Sequence, residues 1–268
     1  MQNTAITTAA DGTTLFYRTW GTQTQGPRLA LVHSLAMDGA FWDRVAKELQ
    51  DEMQILALDC RGHGKSGKAR GPYDVGLFAD DLAAVLNHAG WPDSVVAGAS
   101  MGGCVALSFA QKYPMRTKAL GLIDTTSYYG ADAPAAWEDR AQKALQGGMA
   151  ALIGFQKSRW FSEAFQTNHP DIVETAVEVF LSNDLDCYAD TCRMLGQCDL
   201  RAGMAQMICP TEVVVGEEDY ATPVVMAEEM ARTIAGANLT VLPTVRHFTP
   251  LETPTVIAQH LRVLAQRA

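Results

Sequence analysis

The residue around which the chain's chemistry can be organised is Ser100, in the pattern Gly-Ala-Ser-Met-Gly at positions 98–102. An apolar, β-forming run precedes it, and a helix-forming run to about Gln111 follows. A serine on a sharp strand-to-helix turn is the nucleophile-elbow pattern. Its small neighbours let strand and helix approach, and the helix start supplies N–H groups for an oxyanion. The pattern indicates a serine nucleophile, although similar turns also occur in purely structural connections.

Two further residues have the types and positions that a serine nucleophile requires. The nucleophile needs a general base, and the base needs a carboxylate that orients it. Asp219 follows the apolar run 213–216, and His247 follows the predicted strand 238–242. Because the carboxyl ends of parallel strands meet at one sheet edge, we expect Ser100, Asp219 and His247 to form a catalytic triad. Asp124 also ends a predicted strand and is the alternative acid.

The segments that must position these residues alternate between strand and helix patterns. A hairpin is predicted from strands 6–8 and 15–19 around Asp11-Gly12. Further strands are predicted at 28–33, 54–59, 95–98, 119–124, 212–216 and 238–242, and helices at 41–49, 73–89, 100–111, 224–234 and from 254 onward. This rhythm predicts an α/β fold with a mainly parallel eight-stranded sheet and helices on both faces.

The alternation is interrupted after the sixth predicted strand. From Thr125 to about Met207 no convincing strand pattern occurs, and helical patterns lie near 134–146, 149–158, 171–182 and 185–197. The interruption predicts that residues 1–124 and 208–268 form the core domain. Residues 125–207 then form a helical cap inserted into it.

Composition limits the classes of function. The chain has 268 residues, 48% of them hydrophobic, and a formal charge of −9 with a pI near 5.1, which disfavours nucleic acid and anionic membrane surfaces. The six cysteines form no Cys-x-x-Cys pair, and no His and Cys group has metal-ligand spacing. We therefore expect reduced thiols, no metal and no cofactor. Neither a secretory signal nor a membrane-spanning run is evident, so a cytoplasmic location is expected, and a homodimer is left open.

Several motifs together resemble the α/β-hydrolase superfamily over nearly the whole chain. These are the histidine loop at His33, Asp59-x-Arg61-Gly62-His63-Gly64-x-Ser66, the elbow at Ser100, Gly216-x-x-Asp219-x-x-x-Pro223, and His247 before Glu252-x-Pro254. The chain order serine, aspartate, histidine is also that of this superfamily. The resemblance implies an oxyanion hole made by the backbone N–H groups of Met101 and Leu35. Many members have glycine after the loop histidine, whereas this chain has Ser34. His33 is expected to brace that loop, and His63 to have a structural hydrogen-bonding role.

A closer resemblance is to the 3-oxoadipate enol-lactonases. It rests on the oxyanion loop His33-Ser34-Leu35-Ala36-Met37-Asp38, on Arg159-Trp160-Phe161-x-x-x-Phe165 in the cap, and on Asp199-Leu200-Arg201 further on. The chain departs from the family at Tyr128, where arginine would bind a substrate carboxylate. This departure favours a less acidic lactone or ester, with Arg159 as an alternative cation. Residues expected to contact substrate are Ser34, Tyr128, Trp160 and Phe161.

These features together predict a serine hydrolase that opens a small lactone or enol-lactone through an acyl-enzyme, as in the catabolism of aromatic compounds. A carboxylesterase or a C–C bond hydrolase with the same triad is one alternative. A cofactor-free perhydrolase or haloperoxidase is another. Outside the enzymes, the fold could serve as a small-molecule receptor.

Overall fold

Strand pairing produces one sheet in the order β1-β2-β4-β3-β5-β6-β7-β8 within residues 2–21 and 26–268, which the computed structural model describes. Its strands are β1 (Asn3–Thr8), β2 (Thr14–Trp20), β3 (Arg28–Val32), β4 (Gln54–Leu58), β5 (Ser94–Ala99), β6 (Thr117–Ile123), β7 (Thr211–Gly216) and β8 (Asn238–Leu242). The β1–β2 and β2–β4 pairs are antiparallel, and all other pairs are parallel. The predicted fold class, a mainly parallel eight-stranded α/β sheet, is confirmed.

Helices connect the parallel strands. The α-helices of the described residues are α1 (Asp43–Leu49), α2 (Val75–His88), α3 (Met101–Lys112), α4 (Ala133–Gly147), α5 (Ile153–Trp160), α6 (Glu163–Asn168), α7 (Pro170–Leu181), α8 (Leu185–Gly196), α9 (Arg201–Met204), α10 (Val224–Thr233), α11 (Thr249–Glu252) and α12 (Pro254–Gln266). Short 3₁₀ helices span Gly39–Trp42, Pro114–Arg116 and Met149–Leu152. Helices α2 and α3 pack against each other, as do α1 and α12.

Burial along the strands explains their sequence patterns. Every residue of β5 is buried, as expected for a central parallel strand, and this accounts for its continuous apolar run. Strand β1 lies at the sheet edge and alternates between exposed and half-buried residues. The carboxyl ends of β5, β6, β7 and β8, which are adjacent in the parallel part of the sheet, therefore meet at one edge.

The segment between β6 and β7 contains the predicted helices, now α4, α5, α7 and α8. The helix predicted over 149–158 is instead a 3₁₀ turn, Met149–Leu152, followed by α5, and Gly148 with φ +73° separates it from α4. Helices α6 and α11 were not predicted, because six and four residues are too few for a helical period to appear. We use "cap" for residues 125–207; the division into domains stays a prediction.

Two features that other classes of protein need are absent from the described residues. No helix in them has the length and apolar character needed to cross a membrane. They also contain no group of three or more His, Cys, Asp or Glu side chains that could hold a metal ion. All six cysteines are free thiols, and Cys209 is the one that is not buried.

Candidate active site

Ser100 occupies a strained turn between β5 and α3. Its backbone has φ +55° and ψ −119°, a conformation that non-glycine residues rarely adopt. A Cβ atom on Gly98 would lie 2.0 Å from the carbonyl oxygen of Gly102, and one on Gly102 would lie 2.1 Å from the carbonyl oxygen of Val32. Only glycine fits at both positions, so the small residues of the motif are required by the close approach of β3, β5 and α3.

Hydrogen bonds from the end of β6 and the residues just beyond it hold this turn in place. Thr125 donates a hydrogen bond from Oγ1 to the carbonyl oxygen of Ser100 at 2.6 Å, and the N–H of Gly103 donates to the same oxygen at 2.9 Å. The N–H of Ser100 in turn donates to the carbonyl of Ile123 at 2.9 Å. The elbow is therefore held on both its amide and its carbonyl side, which offsets part of its strain.

Ser100, His247 and Asp219 are joined by two hydrogen bonds. The distance from His247 Nε2 to Ser100 Oγ is 2.9 Å, and the distance from His247 Nδ1 to Asp219 Oδ2 is 2.8 Å. All three residues are buried, with exposures of 6% for Ser100, 5% for His247 and 3% for Asp219. With the proton on Nδ1, the histidine can accept the serine proton at Nε2, which is the arrangement of a nucleophile with its general base.

The carboxylate of Asp219 is saturated with donors. The N–H groups of Ala221 and Thr222 donate to Oδ1 at 2.7 and 2.9 Å, and Thr222 Oγ1 donates to Oδ2 at 2.8 Å. Burial by itself raises the pKa of Asp219, but the charge of His247 and these hydrogen bonds outweigh it, so its pKa lies below its ordinary value. The group is therefore ionised at neutral pH and fixed in position beside the imidazole.

Asp124, the alternative acid, has different partners. Its carboxylate accepts from the N–H of Gly216 at 3.2 Å and from Thr249 N and Oγ1 at 3.0 and 2.7 Å. Burial, and then the nearby charge of Asp219, raise the pKa of Asp124 well above its ordinary value. Asp124 therefore connects the end of β7 to the start of α11, while Asp219 contacts the histidine.

His33 fixes the loop that follows β3 by two hydrogen bonds. His33 is buried, with Nδ1 2.7 Å from the carbonyl of Ser34, and its Nε2 accepts from the N–H of Cys60 at 3.0 Å. These two bonds require the proton on Nδ1 and brace the loop, as predicted for His33. Leu35 follows in this loop, and Met101 is the first residue of α3, whose N–H has no acceptor within the helix. Both can serve as oxyanion donors in the geometry that the sequence predicts.

A cavity of about 650 Å³ opens over the serine hydroxyl. Its floor and one wall come from the core, at Ser34, Leu35, Ser100, Ala221, Thr222, Met226 and His247. The opposite wall comes from the cap. It is made by Tyr129, by one face of α4 (Ala133, Ala136, Trp137, Asp139, Arg140 and Lys143), by Leu152, and by one face of α5 (Phe155, Gln156, Arg159 and Trp160), among others. The predicted substrate contacts Ser34 and Trp160 therefore do line the cavity.

Two other predicted contacts lie elsewhere. Tyr128 forms a β-bridge with Asp199, and the guanidinium of Arg201 lies 3.7 Å from the centre of its ring. Successive side chains of an extended segment point to opposite sides, so the next residue, Tyr129, lines the cavity instead. Phe161 is fully buried and packs against Phe165 and other aromatic residues of the core. Tyr128 and Phe161 are thus not among the residues that line the cavity, and substrate contact by them stays a prediction.

Two cap residues that the sequence analysis missed, Phe155 and Gln156, follow the same helical period as Arg159 and Trp160. On α5, positions 155, 156, 159 and 160 fall on one face at spacings of one, three and four residues. That period could be seen in the sequence, and Arg159 was expected as an alternative cation, but Gln156 has the type of an ordinary surface residue. Trp160 also stacks on Phe248, the residue that follows His247, at 4.9 Å between ring centres.

The half-buried carboxylate of Glu252 joins the cap to the His247 loop. Glu252 accepts from Ser162 N at 3.2 Å and from Ser162 Oγ at 2.6 Å, and also from the N–H of Arg246 at 2.9 Å. The N–H of Phe248 donates to the carbonyl of Trp160 at 2.9 Å. The cap therefore contributes both a wall of the cavity and direct support for the segment that carries the histidine.

Comparison of the sequence with known protein families identifies the family of this chain. The family model described as the α/β-hydrolase fold matches residues 27–254. The chain belongs to this family. Like the fold and the elbow, the Ser100–His247–Asp219 arrangement matches what members of this family present at the same sheet edge.

Individual relatives of this α/β hydrolase include lactonases and esterases. It is 28% identical to 3-oxoadipate enol-lactonase 2 of Acinetobacter baylyi over 97% of this chain and 96% of the relative. The crystal structure of the enol-lactonase from Burkholderia xenovorans superposes with a TM-score of 0.93 at 27% identity, covering 98% of this chain and 100% of that one. A malate-bound thermophilic esterase from Thermogutta terrifontis has a TM-score of 0.90 and 30% identity, covering 99% and 98%.

Proposed function

We propose that this protein is a serine hydrolase that opens a small lactone or enol-lactone of the 3-oxoadipate enol-lactone type. The observation that carries the proposal is the hydrogen-bond relay from Ser100 through His247 to Asp219 at the floor of the cavity. A volume of about 650 Å³ suits a small molecule rather than a polymer. The resemblance to two enol-lactonases over nearly the whole chain supports the lactone as the substrate class.

The first half of the reaction is acylation. His247 Nε2 accepts the proton of Ser100 Oγ as that oxygen attacks the lactone carbonyl. The negatively charged Asp219 stabilises the imidazolium and holds its Nδ1 proton. The developing oxyanion is received by the N–H groups of Leu35 and Met101, an interaction typically worth about 3–4 kcal/mol per donor. Collapse of the tetrahedral intermediate breaks the ring C–O bond, and the ring oxygen takes the proton from His247.

The second half is deacylation. A water molecule loses a proton to His247 Nε2 and attacks the acyl carbon, and the same two N–H groups receive the second oxyanion. Ser100 leaves with the proton from His247, and the product is a ring-opened acid. Because both halves use the same base and the same oxyanion donors, this chemistry requires no metal or organic cofactor.

Hydrolysis of open-chain carboxylic esters is the second candidate. It is supported by the esterase from Thermogutta terrifontis, which is 30% identical to this chain over nearly its full length. The chemistry at Ser100 is the same for both substrates. They differ in the leaving group, which stays attached to the acyl chain in a lactone and departs in an ester, so the cavity must accommodate a different product.

Initial rates on a matched panel test the proposal. The panel contains enol-lactones, saturated lactones and short 4-nitrophenyl esters, each assayed with wild type and Ser100→Ala. We expect an enol-lactone to exceed the esters by orders of magnitude in kcat/KM and Ser100→Ala to abolish turnover. Turnover of esters with no activity on lactones would replace the first candidate by the second. Tight ligand binding without hydrolysis or labelling of Ser100 by a serine-reactive probe would contradict both and favour a receptor.

A further inference from the structure

Two arginines of the cap wall face the cavity without a carboxylate partner. Arg140 and Arg159 both line the cavity, and both are only half-buried. Arg140 donates from Nε to the hydroxyl of Tyr188 at 2.7 Å, and Arg159 donates from Nη2 to the carbonyl of Tyr220. Neither forms an ion pair with any residue in the described part of the chain. Both positive charges are therefore available to pair with an anionic group inside the cavity.

A buried amide beside them also lacks a partner. Gln156 is 2% exposed and lines the cavity, and its Nε2 has no hydrogen-bond partner among the described residues. The same holds for the buried Nε of Arg159, three residues further along α5. A buried donor without an acceptor destabilises the fold, and among the residues that line the cavity Gln156 Nε2 and Arg159 Nε are the two such donors. Two of them on one wall indicate an absent acceptor.

The other charges of the wall do not neutralise the arginines. Lys143 is paired with Asp139 at 2.7 Å, and both side chains are more than 60% exposed. Asp132 is an exposed residue at the start of α4. Burial, and then the like charge of Arg140, lower the pKa of Arg159, while Asp219 acts on it in the opposite direction. The two guanidinium groups are thus close enough to repel each other, and an anion between them would remove that repulsion.

We propose that Arg140, Gln156 and Arg159 form a subsite for a carboxylate of the substrate, separate from the carbonyl that Ser100 attacks. The three side chains offer N–H donors from two helices to one region of the cavity, and the guanidinium groups suit a carboxylate because they can donate two parallel hydrogen bonds. This inference rests on the proposed function and deepens it: the substrate is an ester or lactone whose acyl part carries a second, free acid group.

The subsite changes what the departure at Tyr128 means. Tyr128 stands where the enol-lactonases that the chain resembles have arginine, and this favoured a less acidic substrate. The structure provides the positive charge from α4 and α5 instead. Recognition of the substrate's carboxylate is therefore assigned to helices α4 and α5 instead of to position 128. The absence of arginine at position 128 then no longer favours a neutral substrate.

Kinetic discrimination between an acid and its neutral isostere tests the subsite. The probes are the 4-nitrophenyl monoester of adipic acid and the 4-nitrophenyl ester of adipic acid monoamide, which share leaving group, chain length and shape. We expect wild type to prefer the acid at least tenfold in kcat/KM, which corresponds to about 1.4 kcal/mol, and the preference to fall as salt is raised. Equal kcat/KM for both esters, with Ser100-dependent turnover, would overturn the subsite and leave the serine hydrolase intact.

Variants separate a binding role from a structural one. Gln156→Leu removes the unpartnered amide, and Arg140→Gln removes one charge; each is expected to lower the acid-to-amide ratio at least fivefold. Gln156→Leu is also expected to raise Tm, because a leucine leaves no buried donor unsatisfied. The matched control is Lys143→Gln, which removes a cavity-lining cation that is already paired and should leave the ratio within twofold. Equal changes in all three variants would contradict a specific subsite.

A binding measurement keeps the subsite testable if neither ester is hydrolysed. Calorimetric titration of Ser100→Ala with adipate is expected to give saturable binding that adipamide does not show. Adding Gln156→Leu to that background should weaken it at least fivefold. Such binding without turnover in wild type would contradict the proposed hydrolase and retain the subsite. If neither ester is hydrolysed, absence of saturable adipate binding would overturn the subsite itself.

Discussion

Replacing the two buried aspartates, Asp219 and Asp124, one at a time by asparagine shows which carboxylate orients His247. Asp219 and Asp124 are both buried at the same sheet edge, and both follow strands. Asp219 Oδ2 lies 2.8 Å from His247 Nδ1, whereas Asp124 bonds to Gly216 and Thr249. We therefore expect Asp219→Asn to remove most activity and Asp124→Asn to affect mainly stability.

The magnitude follows from the geometry. In Asp219→Asn, an amide that keeps its oxygen toward the N–H groups of Ala221 and Thr222 presents its NH₂ to His247 Nδ1. The imidazole then carries its proton on Nε2 and cannot accept one from Ser100. Loss of the carboxylate also removes about 4 kcal/mol of attraction for the imidazolium, taking charges about 4 Å apart and an effective dielectric constant of about 20. Together these effects predict a fall in kcat of about 10³–10⁴-fold.

Asp124→Asn is the matched control, because it makes the same chemical change at a neighbouring buried carboxylate. Its NH₂ would oppose either the N–H of Gly216 or the donors of Thr249, so one hydrogen bond is lost at a cost of about 1–3 kcal/mol. Both variants are assayed for kcat on the best substrate and for urea midpoint, with circular dichroism to verify folding. A fall in kcat that is larger for Asp124→Asn than for Asp219→Asn would refute the assignment of the orienting acid.

Three further predictions concern the supports of the site. Gly103→Ala places a Cβ 2.4 Å from Thr125 Oγ1, so we expect about 1–3 kcal/mol of destabilisation and a lower kcat; unchanged Tm and kcat would contradict this. Burial, and then the nearby charge of His33, lower the pKa of His63 from 6.5 to about 3. At pH values between these two, the unfolded state therefore binds a proton at His63 that the native state does not bind. Stability should therefore fall as the pH drops below about 6.5, by up to about 2.7 kcal/mol at pH 4.5, in urea titrations that His63→Gln flattens. Glu252→Gln loses acceptors for Ser162 and should raise KM more than it lowers kcat; equal effects on both would argue against a role in seating the cap.

Local pattern was sufficient for the core of the fold. Buried parallel strands produce continuous apolar runs, as in β5, and amphipathic helices produce a period of 3.6, as in α2. The glycines of the elbow allowed the strand-to-helix turn to be predicted, because the close approach of strand and helix leaves no space for a Cβ atom. The short helices α6 and α11 were not predicted, since their existence depends on caps and packing rather than on periodicity.

By itself, the sequence determined the class of fold, the helical segment after β6, and the positions of Ser100, Asp219 and His247 at strand ends. Those positions suffice because parallel strands bring their carboxyl ends to one edge whatever the details of packing. Only the tertiary structure decided which of two acids contacts the histidine, and that Tyr129 rather than Tyr128 faces the cavity. It also decided that two cap arginines with no ion pair among the described residues line the cavity beside Gln156, whose Nε2 has no hydrogen-bond partner there. These contacts depend on how two helices pack over a sheet, and the spacing of residues along the chain does not specify that packing.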